Sequence, residues 1–422
     1  MKSKPVLQVT PARRVAFEVL ALVGENKGHS DDLLHTRTAS LSPEDRNLAT
    51  ALVLGTLRWQ IALDARIAAF LQRPDQQLAA PVAIALRLGA FQLLHMDRIP
   101  AHAALSESVE LAKWANHAYA SGMVNAILRK LSTAPALGTP LYESTAAFAT
   151  RLGHPLWLVE RWVAAYGRTA AISICEADQH EPAEDHTFFV DAPSDLPRID
   201  PGSRLVAELS AAAMPAQGSR IWDACAAPGG KTLCLAYRLP TAEILATDVS
   251  PRRLEQMQRR MERTSFAERI RCEVADASAS QNAPGFDLIL CDAPCSGTGT
   301  LARNPEIRHH LRAGDLARQA DRQRALLQHA LRQLAPGGRL VYSTCSLEPE
   351  ENERVVDAVL RDAGVRLVPV EGLLDQLAAA KILQPEAAQS LASTAVRGGA
   401  LRTLPGIHPC DGFFAAVFER SA

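Results

Sequence analysis

Residues 286–300 read FDLILCDAPCSGTGT, an apolar run of strand length that stops at Asp292-Ala293-Pro294-Cys295 and continues in small residues. Such a run delivers a carboxylate and a thiol to the mouth of a loop, which is where chemistry sits on a strand end. Residues 339–346, RLVYSTCS, repeat the pattern with a second thiol, Cys345. Residues 221–232, IWDACAAPGGKT, lead a strand into a glycine-rich turn suited to seat a cofactor. These three strand ends are expected to converge on one pocket.

From residue 202 onward strand and helix patterns alternate, with strands expected at 220–224, 243–249, 271–275, 286–291 and 339–344, and later candidates at 365–370 and 413–418. That alternation implies a parallel sheet with helices on both faces and ligands beyond the carboxyl ends of its strands. The amino-terminal part differs. Thr10-Pro11 supplies an N-cap hydroxyl and a proline at the first helical position, followed by Val15, Val19 and Leu22 on one face. Helical patterns, mostly apolar at 48–57 and 82–96, continue to about residue 131 and read as a helical bundle. Its basic residues Arg13, Arg14, Arg37, Arg46, Arg58, Arg129 and Lys130 are, from spacing alone, ordinary solvated helix faces. The expected division is a helical domain at 1–134, a linker and reduced pre-catalytic segment at 135–200, and an α/β domain at 201–422. Residues 154–166 show helical core spacing, and 176–195, EADQHEPAEDHTFFVDAPSD, are acidic with a short strand candidate at 187–190. Acid repels phosphate, so this stretch should face away from nucleic acid.

A length of 422 residues implies more than one core. The formal net charge of -1 leaves nucleic-acid binding to local patches. The eight cysteines are scattered, and Cys291 and Cys295 lack zinc-knuckle spacing. His309 and His310 are adjacent and point apart on a helix, so no metal is expected. The start MKSKPVLQVTPARR has no apolar signal core, and no apolar run approaches membrane-spanning length. A cytoplasmic protein with reduced thiols, monomeric and without a membrane partner, is expected.

The turn AAPGGKT is neither the dinucleotide fingerprint nor the phosphate loop, whose first glycine would fall at Cys225. Gly229 and Gly230 allow close approach of a ligand, Asp248 ends the next strand where it can accept from ribose hydroxyls, and Asp276 ends the third strand where it could meet an adenine edge. A nucleoside without pyrophosphate fits, and S-adenosylmethionine is the commonest such cofactor on this kind of sheet, a generic nucleotide fold being the alternative. Cys175, Cys225, Cys234, Cys272 and Cys291 read as small buried hydrophobes, while Cys410 has no assignment. Cys295 and Cys345 differ because each lies just past a strand end in polar surroundings. On neighbouring strands roughly 5 Å apart, the two sulfurs could serve one substrate. The sequence does not say which of them attacks.

The motifs DACAAPGGKT, TDVSPRR, DAPCSGTG, LAPGGRLVYSTCSLEPEENE and DGFFAAVFER resemble the RsmB-type RNA cytosine-5 methyltransferases. RNLATALVLGTLRW and residues 100–131, PAHAALSESVELAKWANHAYASGMVNAILRKL, resemble the NusB family of all-helical RNA-binding domains. The resemblance implies an all-α bundle joined to a Rossmann-like class I methyltransferase domain, S-adenosylmethionine as cofactor and RNA, most often small-subunit rRNA, as partner. It implies that Cys345 is the nucleophile, that Cys295 assists product release, and that Lys231 reaches the substrate region beside the methyl donor. Basic residues of the bundle would contact an RNA backbone. Cofactor contacts are expected from Asp223, Ala224, Cys225, Ala226, Ala227, Pro228, Gly229, Gly230 and Lys231 on the turn, and from Asp248, Arg253, Asp276 and Asp292. The chemistry accounts for these residue types. Carbon 5 of cytosine is a weak nucleophile, so a thiolate first adds to carbon 6, and a carboxyl group such as Asp292 can hold the proton needed at ring nitrogen 3. One departure stands out: where the family carries a small RNA-recognition-like subdomain ahead of the core, residues 154–201 are short and acidic. Exocyclic-amine methylation would call for Asn-Pro-Pro-Tyr in place of Asp-Ala-Pro-Cys, and DNA cytosine-5 enzymes for Pro-Cys-Gln where Pro294-Cys295 precedes Ser296. The remaining alternatives are a non-catalytic RNA-binding or ribosome-assembly factor on the same fold and cytosine-5 methylation of tRNA.

Overall fold

The computed structural model describes residues 9–73, 77–134, 143–182, 188–190, 196, 199–279, 285–361 and 364–421. Its contacts divide the chain into two compact units, one of residues 1–181 with 301–310 and one of 182–300 with 311–422.

The first unit is all-helical, as expected. It contains α1 (Pro11–Gly24), α2 (Ser30–Arg37), α3 (Pro43–Ala68), α4 (Ala80–His95), α5 (Ala101–Trp114), α6 (Ser121–Thr133), α7 (Thr145–Arg151), α8 (Leu156–Tyr166) and α9 (Arg168–Ala177). Val19, Leu52, Leu86, Leu88, Leu111 and Leu128 are among its fully enclosed core residues. Helix α1 begins at Pro11 as predicted, but the Thr10 hydroxyl does not cap it. That hydroxyl donates to Glu107 Oε2 at 2.7 Å, and Arg13 meets Glu107 Oε1 at 2.9 Å. Arg13 and Arg58, read from spacing as solvated, are therefore corrections: both are buried, and Arg58 donates from Nε and Nη2 to Ala302 O at 3.0 and 2.7 Å. Arg14, Arg37, Arg46, Arg129 and Lys130 are exposed. A buried guanidinium needs acceptors on the protein, and nothing in the spacing of a helix reveals whether a distant segment supplies them.

For Arg13 those acceptors are Glu107 and Gln92; for Arg58 they come from residues 301–310, a segment that follows the Cys295 loop in sequence and is built into the helical unit. Glu306 accepts from Ser30 N at 3.1 Å and Ser30 Oγ at 2.9 Å. Arg308, in the short helix Ile307–His310, is buried and donates to Arg58 O at 3.0 Å and Gly153 O at 3.1 Å. Burial lowers its pKa to about 10, with Asp178 opposing, and burial raises Asp178 to about 7, with Arg308 opposing. His309 lies 2.8 Å from Leu57 O, and burial lowers it to about 3.

The second unit is built on a nine-stranded sheet of order β3-β2-β1-β4-β5-β9-β8-β7, with β6 also pairing β9. Strands β1 (Arg220–Asp223), β2 (Glu243–Asp248), β3 (Ile270–Val274), β4 (Phe286–Asp292) and β5 (Leu334–Thr344) run parallel. Strand β9 (Phe414–Arg420) lies antiparallel to β5; β8 (Ala400–Arg402) and β6 (Val365–Val368) share its other edge, and β7 (Val396–Arg397) pairs β8. Leu288, Leu290 and Val341 enter one core, Ile289, Cys291, Leu340 and Tyr342 the other. Both faces of the sheet are thus covered, which is why β4 reads as a continuous apolar run rather than an alternating one. Strand β5 starts before the predicted residue 339 because Leu334 already pairs Phe286, and the register shifts between Phe286 and Leu288. The expected strand at 187–190 is instead an isolated bridge between Phe189 and Leu383, residue 187 lying outside the described residues. The two short strands β7 and β8 were not predicted.

After β4, the chain passes very close to the segment before β9. Gly412 N donates to Gly299 O at 2.8 Å, and a Cβ on Gly299 would stand 2.2 Å from Gly412 O. Backbone cannot yield as a side chain does. Gly299→Ala should therefore lower stability by about 1–3 kcal/mol, visible as a lower urea midpoint than that of the wild-type chain.

Candidate active site

The order β2-β1-β4 reverses direction at β1, so the crevice beyond β1 and β4 is the switch point where ligands of such sheets sit. Strand β1 ends at Asp223. Its Oδ2 accepts from Thr232 Oγ1 at 2.7 Å, and its Oδ1 is buried with no hydrogen-bond partner among the described residues. Burial raises this carboxyl to about 7, the Thr232 hydrogen bond opposing.

The turn that follows is held from β2 and from helix α12 (Pro251–Met261), with α10 (Pro201–Ala212) and α11 (Gly230–Arg238) flanking it in sequence. Ala226 N donates to Thr247 O at 2.8 Å and Ala227 N to Asp248 Oδ2 at 3.2 Å, while Asp248 Oδ1 accepts from Ser250 N at 2.9 Å. Arg253 Nη2 donates to Ala227 O at 2.5 Å and Arg260 to Pro228 O at 3.2 Å, so the loop carbonyls are clamped by α12. Gly229 has φ +95, and a Cβ there would meet Met257 Cγ at 2.7 Å; on Gly230 it would meet Ile199 Cγ2 at 2.5 Å. Both glycines are thus required by the protein's own packing, a demand separate from the ligand approach expected of them. Cys225 sits in this turn, its thiol pushed up by burial.

Lys231, from the first turn of α11, reaches Asp292 Oδ2 at 2.7 Å, and Ser343 Oγ on β5 donates to Asp292 Oδ1 at 2.7 Å. Burial works against the Lys231 ammonium, but Asp292, Asp200 and Cys345 overcome it and the pKa is raised. The Nζ atom also stands 5.3 Å from the centre of the Phe413 ring.

Cys295 Sγ and Cys345 Sγ lie 3.4 Å apart, closer than the strand spacing alone. The hydrogen bond to Cys345 and then burial push the Cys295 thiol well up. Beneath the sulfurs lies a buried polar knot. Glu351 Oε1 accepts from Ser296 N at 2.9 Å and Gln323 Nε2 at 2.9 Å; its Oε2 accepts from Ser346 Oγ at 2.5 Å and from Ser296 Oγ. Ser343, Thr232, Gln323 and Glu351 carry no distinctive spacing in the sequence. Only the position of Glu351 inside LEPEENE, immediately after the second thiol loop, could have drawn attention to it.

Lys231, Asp292 and Ser343 thus meet in one cluster, and Cys295 with Cys345 in another on the same strand ends. Asp276 behaves differently. It is exposed beyond β3 and accepts from Ser278 N and Oγ at 2.9 and 2.7 Å, which lowers its pKa. A cleft lined by Arg220, Ile244 and Arg271 lies at the opposite, amino edge of the strands.

A family model for 16S rRNA methyltransferase RsmB/F matches residues 211–419, and one for the NusB family matches residues 10–133. The chain is 31% identical to ribosomal RNA small subunit methyltransferase B of Xanthomonas campestris pv. campestris, with 97% of each covered. Against ribosomal RNA small subunit methyltransferase B of Pseudomonas syringae pv. tomato, identity is 33%, with 90% of this chain and 93% of that protein covered. The crystal structure of PH0851 matches with a TM-score of 0.73 at 22% identity, covering 98% of this chain and 100% of that one, a likeness of fold.

The raised pKa of Asp223 has a consequence for stability. Its contribution is fully present below the ordinary value of 3.8 and is lost as pH rises through about 7. Asp223→Asn cannot ionise. Urea denaturation at pH 5 and pH 8 should therefore show the wild type losing up to about 3 kcal/mol more than the variant across that interval. Equal pH slopes would show that Asp223 is charged throughout.

Proposed function

The chain belongs to the RsmB/F family of 16S rRNA methyltransferases, and on that premise we propose that it transfers a methyl group from S-adenosylmethionine to carbon 5 of a cytosine in small-subunit rRNA through a covalent cysteine adduct. The observation that carries this reading is the pair of thiols 3.4 Å apart on adjacent strand ends, beside the Lys231–Asp292 pair.

The cofactor fits the residues present. Asp223 offers a buried acceptor without a partner, suited to an α-ammonium group. Each oxygen of Asp248 takes one backbone N–H and keeps a lone pair for a ribose hydroxyl. Bound there, S-adenosylmethionine supplies an electrophilic methyl on a sulfonium centre. Cys345 as thiolate forms a bond to carbon 6 of the cytosine, which places an electron pair at carbon 5, while ring nitrogen 3 takes a proton held by Asp292 and drawn from the adjoining Lys231 ammonium. After methylation a solvent water takes the carbon 5 proton, the freed electron pair re-forms the carbon 5 to carbon 6 double bond and expels the Cys345 thiolate, and nitrogen 3 gives its proton back through Asp292. Cys295, held as a neutral thiol, then donates a hydrogen bond to the departing Cys345 sulfur. The exposed Arg14, Arg46, Arg129 and Lys130 of the helical unit are proposed to contact the RNA backbone, positioning it without reading bases.

Incubation with methyl-labelled S-adenosylmethionine and undermodified 16S rRNA tests the proposal. Label at carbon 5 of cytosine is expected; label confined to tRNA would overturn the substrate, and none on any RNA the activity. The two thiols are separated by what accumulates. Cys345→Ala should bind RNA, form no adduct and lose at least about a thousandfold in turnover. Cys295→Ala should transfer methyl and stall, leaving a protein–RNA adduct on denaturing gels that vanishes when Cys345 is also replaced. An adduct in Cys345→Ala and none in Cys295→Ala would reverse the roles.

A further inference from the structure

The residues that follow the two thiols are joined through one carboxylate. Ser296, next to Cys295, gives Glu351 both its N–H, at 2.9 Å, and its hydroxyl. Ser346, next to Cys345, gives its hydroxyl at 2.5 Å, and the two serine oxygens are 3.0 Å apart. Gln323, on the helix Ala313–Arg332, bridges Glu351 Oε1 and Pro294 O, at 2.9 Å each, so it holds the residue before Cys295 to the same carboxylate. Glu351 itself is held by its main chain, Tyr342 donating to Glu351 O at 2.6 Å. Glu351, Gln323 and Ser346 are wholly buried. A fully enclosed carboxylate with four donors is costly to build and rigid once satisfied.

We infer that Glu351 is a positioning residue that fixes the separation of Cys295 and Cys345 by binding the loop of each. Its consequence for turnover rests on the thiol chemistry proposed above; its geometric content does not. Every donor it receives comes from a residue adjoining a thiol loop or packed against one, and among the described residues no other carboxylate is bonded to both serines. Remove the carboxylate and the charged link is gone: the two loops keep the neutral contact between the Ser296 and Ser346 hydroxyls at 3.0 Å, the backbone bond from Gly299 N to Cys345 O at 2.9 Å, and the Thr298 hydroxyl, which accepts from Leu347 N at 2.9 Å. None of those contacts is charge-assisted, so they hold the sulfurs together less tightly than the carboxylate does.

Separation of the sulfurs can be read without any RNA. The dehydrogenating diazene diamide takes two hydrogens from two thiols, a sulfur–sulfur bond forming as the diazene becomes a hydrazine. In the wild-type chain Cys295 and Cys345 should link rapidly, the bond being located by peptide mass mapping. Glu351→Ala should slow that linkage at least about tenfold, because small displacements of paired reactive groups cost large factors in rate. Glu351→Gln keeps an acceptor for Ser296 N and Gln323 and offers an amide donor to the serine hydroxyls, so its linkage should stay within about threefold of wild type. Should Glu351→Ala not fold, Ser346→Ala removes only the donor of the Cys345 loop and should slow linkage by about threefold or more. Wild-type linkage in Glu351→Ala, or in Ser346→Ala where it stands in, overturns the inference, as does a Glu351→Gln variant as slow as Glu351→Ala. Methyl transfer measured in parallel separates the two readings. Slow linkage with unaltered transfer upholds the positioning and counts against the two-thiol chemistry, whereas loss of both upholds the two together.

Discussion

The site depends on the register of β4 against β5. Asp292 stands opposite Ser343 in that parallel pair, and the pairing continues past the strand ends, Ala293 N donating to Ser343 O at 2.8 Å and Gly299 N to Cys345 O at 2.9 Å. A slip of one residue would turn every side chain to the other face. Asp292 would then lose both Lys231 and the Ser343 hydroxyl, and the two thiols would leave opposite sides of the sheet. The irregular pairing between Phe286 and Leu288 lies at the far end of β4, so it is absorbed before the functional end is reached. Covered faces on both sides make that register the one that buries Leu288 and Leu290 in one core and Ile289 and Cys291 in the other.

The central strands were legible because a strand buried on both faces leaves an unbroken apolar run ending in polar residues, and the turn after β1 because only glycine suits φ +95. What could not be read were partnerships across the chain. Thr10 and Arg13 look like an N-cap and a solvated cation, yet both belong to Glu107, on a different helix. Arg58 and Arg308 likewise satisfy carbonyls far away in sequence. The glycines of the turn were assigned to ligand approach, but Met257 and Ile199 already demand them. Glu351 sat unremarked in an acidic cluster, because an acid that collects donors from two loops has no local signature.

The helical unit shows how costly such partnerships are. Arg58, Arg308, His154 and Asp178 are all buried there, with His154 Nε2 3.2 Å from Asp178 Oδ2. Burying them is unfavourable unless each is paired, and replacing such groups by apolar ones is often neutral or stabilising. Their return is positional: the cations bind main-chain oxygens of residues 58, 153, 178, 301 and 302, which fixes the path of the segment that leaves the Cys295 loop.

At the sulfurs themselves, symmetry of sequence gives way to asymmetry of environment. Both thiols follow a strand end, both precede a serine, and both serines bind one carboxylate. Cys295 is pushed well up, by the hydrogen bond with Cys345 and then by burial, with the charges of Cys345 and Glu351 adding to it. The ammonium of Lys231 is held charged against burial by Asp292, with Asp200 and Cys345 adding to it. A thiol whose pKa is raised keeps its proton and can donate it to the sulfur beside it. A donor beside a nucleophile is useless for attack but useful when that nucleophile must depart, and this is what supports the proposal that Cys345 adds and Cys295 assists release.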